Sequence, residues 1–146
     1  MEQEGLLGIM PKPVLQALVI ADHIYVDKDT NKRIVAGTFN KVWVPEFPAA
    51  YQATIWAYIA LTEIRGTTKI DLHFRSLETQ ELLMKCAGIV ITTQNPLETA
   101  ELAVPIPGLP LPARGVYSLD VFTEDGDLLG GWRITAEKLE LPEKGN

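Results

Sequence analysis

The chain has 146 residues, of which 47% are hydrophobic, so it is long enough to bury one core and too apolar for a disordered chain. Its net charge of −6 opposes binding to phosphate backbones and anionic lipid, so neither nucleic acid nor membrane is an expected partner. A single cysteine, Cys86, permits no internal disulfide and no thiolate metal cluster, and it favours a reducing compartment, the cytoplasm.

The first thirteen residues are expected to form an arm that precedes the domain. Pro11-Lys12-Pro13 blocks regular strand pairing, and Glu2 and Glu4 stand where a secretory signal would be basic. Residues 14–142 are expected to fold as one domain, with residues 143–146 as a frayed tail. No apolar run approaches the length of a membrane span.

Apolar runs predict strands in the first half of this domain. Residues 14–26 are apolar on both faces, which is typical of a strand covered on both sides. An Asx-rich turn at 27–32 then predicts a hairpin with a second strand over 34–44. Residues 53–64 form another run that is apolar on both faces, and residues 69–75 alternate strictly between apolar and polar side chains.

The second half continues in the same way. The β-branched residues of 82–92 favour a strand, 102–106 reads as an edge strand, and the proline-rich stretch 107–112 as an extended crossover. A closing hairpin is predicted around Asp125-Gly126, with a tight turn of the primed type. Roughly eight strands without a helical pattern predict an all-β fold, a two-sheet antiparallel β-sandwich of the immunoglobulin-like or a related type. A jelly roll or flattened barrel is the alternative.

Turn and packing positions recur at both ends of the chain. They are residues 19–23, 29–32 and 35–39 leading to Phe47-Pro48, and later 107–112, 115–117 and 125–130. In these positions the chain resembles an uncharacterised, mainly bacterial family of small β-sandwich proteins, catalogued as a domain of unknown function. The resemblance implies the fold, and it implies no activity, cofactor or catalytic residue.

The metal motifs in the sequence are incomplete. Asp27, Asp29 and Asn31 match the opening of a calcium loop, but Lys32 stands where that loop needs glycine and Thr38 where it needs a bidentate glutamate. A capped hairpin turn explains the same residues. No nucleophile elbow, phosphate loop or zinc spacing is present either, so we expect no enzyme, no metal and no cofactor.

Asp22 and His23 are an unexplained polar pair inside an apolar run. A hydrogen-bonded structural pair is the favoured interpretation, and a hydrolase site around them is a distant alternative. His73 is assigned to the wet face of its strand.

Three aromatic residues, Trp43, Trp56 and Tyr58, lie on strands whose second face is also apolar. They exceed what one core needs, so we expect a non-enzymatic interaction or scaffold domain that docks on a protein partner or forms a homo-oligomer. The alternative is a small-ligand or carbohydrate-binding module. A flat apolar patch would favour the interface, and exposed aromatics beside polar groups in a groove would favour the binding module.

Overall fold

The computed structural model describes residues 12–140, which form eleven strands and no helix. The strands are β1 (Val14–Val26), β2 (Arg33–Thr38), β3 (Lys41–Val44), β4 (Ala49–Tyr51), β5 (Ile55–Thr62), β6 (Gly66–Ser76), β7 (Leu82–Thr93), β8 (Ala100–Ile106), β9 (Leu109–Leu111), β10 (Gly115–Thr123) and β11 (Leu128–Lys138). Within this part of the chain, no helix exists that is long and apolar enough to cross a membrane.

The strands form two main sheets and one small one. Sheet A has the order β2-β1-β5-β8 and is antiparallel throughout. Sheet B has the order β3-β11-β10-β6-β7, in which only β3 runs parallel to its neighbour. Strands β4 and β9 pair with each other as sheet C. The chain is therefore an all-β sandwich, as the sequence predicts.

The core lies between the inner faces of sheets A and B. In β6 the predicted alternation is confirmed, because Ile70, Leu72 and Phe74 are buried while the residues between them point away from the core. From sheet A, Ile20 and Ile59 meet them, and both are fully buried. Burying one such side chain stabilises the fold by about 1.5–3 kcal/mol, so the inner faces fix the register of both sheets.

Tyr117 ties β10 to the loop that precedes it. Its ring is 2% exposed and stacks on Phe74 with the ring centroids 5.3 Å apart. Its hydroxyl donates to the carbonyl of Ala113 and accepts from the Ala113 N–H at 3.2 Å. A buried tyrosine that bonds back to the backbone a few residues upstream is the tyrosine corner of β-sandwiches.

The number of strands is higher than the roughly eight expected, and the predicted strand over 34–44 is wrong. That segment divides into β2 in sheet A and β3 in sheet B, with the chain crossing between the sheets at Phe39 and Asn40. The apolar alternation continues across the crossing and therefore hides it. The other additional strands, β4 and β9, are three residues long and proline-flanked, too short for a period to show.

Two hairpin turns follow from local chemistry. Asp27 Oδ1 accepts the N–H groups of Asp29 and Thr30 at 2.9 and 2.8 Å, which caps the β1–β2 turn and holds the pKa of Asp27 below its usual value.

In the β10–β11 hairpin only Gly126 has positive φ, and the turn is closed by bonds from Gly126 N to Thr123 O and from Thr123 N to Asp127 O. This is a type I turn with a glycine bulge, so the predicted primed turn is wrong in type.

Candidate functional site

The outer face of sheet A is a mostly apolar surface that the strand register produces. Strand pairing places alternate residues of all four strands on the side away from sheet B and outside the core cluster, and of these only the small side chains of Ala21 and Ala60 are buried. We call this surface the sheet A face. It consists of Ala17, Val19, Ala21, His23 and Tyr25 on β1, Ile34, Ala36 and Thr38 on β2, Trp56, Tyr58 and Ala60 on β5, and Glu101, Ala103 and Pro105 on β8.

Large apolar groups on this face are open to solvent at its β1–β2 end and half-buried at its centre. Tyr25 is 52% exposed and Ile34 46% exposed, whereas Val19, Trp56 and Tyr58 are half-buried. An outer sheet face that meets water ordinarily alternates to polar residues. The sheet A face carries few polar residues, so its side chains resemble those of a surface that is covered by another molecule.

Glu101 is the one acidic side chain of the sheet A face, and it is engaged. The Tyr58 hydroxyl donates a hydrogen bond to Glu101 Oε2. Burial raises the pKa of Tyr58 to about 12, and the bond to Glu101 adds to that rise. Tyr58 is therefore uncharged at any physiological pH and remains a donor to the carboxylate.

Trp43 lies elsewhere, on the outer edge of sheet B. It projects from β3 on the side opposite to the buried Val42 and Val44, and it is 54% exposed. It borders a cleft of about 290 Å³ between the edge strands β2 and β3. The structure therefore divides the three predicted interface aromatics, with Trp56 and Tyr58 together on the sheet A face and Trp43 in a separate place.

Asp22 and His23 do not form the expected hydrogen-bonded pair. Because successive side chains of a strand point to opposite faces, Asp22 turns toward the cleft beside Trp43, and His23 lies on the sheet A face. There His23 stacks on Tyr25 with ring centroids 5.5 Å apart. Among the described residues, no hydrogen bond joins Asp22 to His23, so the two residues form no hydrolase dyad.

A polar cluster on the outer face of sheet B was not anticipated. Ser118 Oγ donates to Asp120 Oδ1 at 2.5 Å, and the Arg75 guanidinium lies 3.9 Å from the same carboxylate. His73 sits on the neighbouring strand β6, but its two ring nitrogens are buried and bond to nothing within residues 12–140. The hydroxyl is paired with a carboxylate and not with the imidazole, so this cluster lacks the nucleophile–base bond that acyl transfer needs.

His73 itself corrects the assignment to a wet strand face. Its ring packs on Phe122 with the centroids 4.3 Å apart, which closes off both nitrogens. This burial lowers the pKa of His73, and the positive charges of Lys85 and Arg75 lower it further, against the opposing charges of Asp71 and Asp120. The alternation of β6 correctly predicts that His73 points away from the core. The side chain that covers it, Phe122, comes from the neighbouring strand β10.

The residues that the sequence reasoning missed are those supplied by pairing between distant strands. Ala103 and Pro105 join the sheet A face from β8, and Lys41 and Tyr51 join the cleft beside Trp43 from β3 and β4. The apolar character of both faces of β1 and β5 was a usable signal for the sheet A face. No comparable signal existed for the cleft, because it depends on the crossing at Phe39 and Asn40.

The two packed sheets, antiparallel except for β3, and the tyrosine corner define the molecule as a β-sandwich domain of immunoglobulin-like type. Residues 16–137 match the model of DUF6941, a family of unknown function, and the chain belongs to this family. An immunoglobulin-like protein of known crystal structure from Pseudomonas aeruginosa is similar at 11% identity, with a TM-score of 0.47 over 87% of this chain and 98% of that chain. No curated protein matches the sequence.

Proposed function

We propose that this protein is a non-catalytic interaction domain that associates with a second copy of itself through the sheet A face. The observation that carries the proposal is the composition of that face, which is mostly apolar on all four strands and contains a single carboxylate. Aromatic side chains with few charges are the composition that marks the centre of a protein interface.

The charge distribution favours a second copy as the occupant. The chain carries a net charge of −6, yet Glu101 is the one acidic side chain of the sheet A face, and it is bonded to Tyr58. Two copies can therefore approach face to face with their acidic groups at the rim. There the like charges are separated and screened by salt, which leaves the apolar contact at the centre unopposed.

The area of the sheet A face is of the same order as the area that each partner buries in a standard protein interface. At about 3.3 Å per residue and about 4.8 Å between strands, the four strands present a plane of roughly 500 Å², and the relief of the side chains adds to it. A standard interface buries about 800 Å² on each partner. Two sheets packed face to face about 10 Å apart, related by a twofold axis, would cover Trp56 and Tyr58 on both copies.

The proposal includes no catalytic step, metal or cofactor, because neither the polar cluster of sheet B nor the cleft pairs a nucleophile with a base. It also places the domain in the cytoplasm, where the half-buried thiol of Cys86 stays reduced. The partner is a protein surface, in keeping with an acidic chain that repels nucleic acid and anionic lipid.

Light scattering coupled to size exclusion tests the proposal with matched charge insertions. Ile34→Glu on β2 and Ala103→Glu on β8 place a carboxylate at opposite margins of the face, at positions exposed enough for the fold to tolerate it. Val90→Glu is the control, because Val90 is 55% exposed on β7 of sheet B. We expect a dimer for the wild type and for Val90→Glu, and a monomer for the other two. A wild-type monomer at high micromolar concentration, or equal dimerisation of all four proteins, contradicts the proposal.

A further inference from the structure

The cleft between β2 and β3 differs in chemistry from the sheet A face. It is lined by the polar side chains of Asp22 on β1 and Lys41 on β3, beside the aromatic rings of Trp43 and Tyr51. Among residues 12–140, neither of these two polar side chains forms a hydrogen bond or an ion pair. Exposed aromatic surface next to unpaired polar groups in a concave site is what a small polar ligand requires.

Trp43 and Lys41 continue into a second depression. It has a volume of about 370 Å³ and is also bordered by Glu137, Lys138 and Glu140 at the end of β11. The two hollows therefore adjoin at Lys41 and Trp43. Each hollow is close to the lower end of the about 300–1,000 Å³ range of ligand sites, so a chain-like ligand crossing Trp43 would occupy both.

The two hollows together carry no excess of positive charge. They share Lys41, and their charged lining consists of three acidic side chains, Asp22, Glu137 and Glu140, and two basic ones, Lys41 and Lys138. A phosphate or a fatty acid needs an excess of positive charge, which is absent from these linings. A neutral ligand with many hydroxyl groups can instead donate to Asp22, accept from Lys41 and lay its C–H face on the indole.

The backbone of β2 leaves room for the carboxylate. Gly37 lies opposite Asp22 with φ of +78°, and a Cβ at this position would come within 2.7 Å of Asp22 Oδ2. A side chain here would therefore displace the carboxylate from the wall of the cleft. From this geometry we infer that the cleft beside Trp43 binds a neutral oligosaccharide, with Trp43 as the stacking platform and Asp22 and Lys41 as the hydroxyl-binding groups.

Nuclear magnetic resonance on the full chain labelled with ¹⁵N tests the inference. The probes are maltotriose, cellotriose, xylotriose and triacetylchitotriose at about 10 mM, well above the Kd of a weak millimolar site. The readout is the indole N–H signal of Trp43, identified by its loss in Trp43→Phe, with the indole signal of Trp56 as the reference in the same spectrum. We expect at least one probe to shift the Trp43 signal in a saturable manner and to leave the Trp56 signal in place.

Two exposed substitutions separate binding from folding. Asp22→Asn keeps the shape of the side chain and removes its charge, and we expect it to weaken binding of the active probe by about fivefold or more, whereas Asp29→Asn in the β1–β2 turn leaves binding unchanged. Trigalacturonate, an anionic trisaccharide, should bind more weakly than the neutral probes. Absence of any shift with all four neutral probes, an equal affinity of Asp22→Asn and wild type, or tighter binding of trigalacturonate overturns the inference.

Discussion

Replacing His73 with phenylalanine should stabilise the protein, although it replaces a polar side chain in the middle of a sheet. Both ring nitrogens of His73 are shielded from solvent and unpaired among the described residues. An unsatisfied buried polar group lowers the free energy of unfolding by about 1–3 kcal/mol. Phenylalanine has no ring nitrogen, and it keeps the ring contact with Phe122. We expect His73→Phe to raise the free energy of unfolding by about 1–2 kcal/mol near pH 7.5, because some of the gain is lost in fitting the larger ring.

The advantage of His73→Phe should grow as the pH falls. Burial holds the pKa of His73 below its ordinary value of 6.5 in the folded state, so between that lowered pKa and 6.5 the unfolded chain binds a proton that the folded chain does not. Wild-type stability from this group is therefore complete above about pH 7 and declines as the pH drops through this window. Phenylalanine does not titrate, so the variant does not lose this stability as the pH falls.

Urea denaturation near pH 7.5 and near pH 5.5, at low protein concentration, measures both effects as changes in midpoint at constant slope. His23→Phe is the control, since His23 is exposed on sheet A, and it should change stability by less than about 0.5 kcal/mol. Destabilisation of His73→Phe by more than about 1 kcal/mol would show that the imidazole nitrogens have partners in solution, and an advantage that shrinks at the lower pH would refute the linkage argument.

Substitutions at Tyr117, Gly131 and Gly126 test the packing and the turn. Tyr117→Phe should cost about 1–2 kcal/mol by removing the bonds to Ala113, and Tyr117→Ala on the order of 3 kcal/mol or more, both measured by urea denaturation; equal costs would contradict the tyrosine corner. Gly131→Ala should cost about 1–3 kcal/mol because its Cβ would overlap the Asp120 carboxylate, and the double variant with Asp120→Ala should recover most of it in a double-mutant cycle. Gly126→Ala should lower the melting temperature through its positive φ, corresponding to about 1 kcal/mol, and an unchanged melting temperature would refute the turn assignment.

Local patterns predicted the parts of this fold that local interactions determine. The alternation in β6 depends on period two, and the capped turn at Asp27 depends on a few neighbouring residues. The split between β2 and β3 and the pairing of β4 with β9 depend on where the chain crosses between sheets. Tertiary contacts fix that crossing, and a three-residue strand carries too few side chains for a period to appear.

The residues of the candidate site were likewise predictable only where local patterns determine them. Trp56 and Tyr58 were identified because β5 is apolar on both faces, so one face had to lie outside the core whatever the strand order. Trp43 was grouped with them because its segment was read as one strand, and its true neighbours, Lys41 and Tyr51, follow only from the crossing. Asp22 stood out as polar in an apolar run, but its partner Gly37 becomes visible only through the β1–β2 register.

Association through the sheet A face can be followed through the backbone amide shifts of the ¹⁵N-labelled protein as it is diluted from high to low micromolar concentration. We expect saturable shift changes that map to β1, β2, β5 and β8 and include Val19, Trp56 and Ala103, with the amides of β7 and β11 unchanged. Spectra that are independent of concentration at a monomer's rotational correlation time, or changes confined to sheet B, would contradict it.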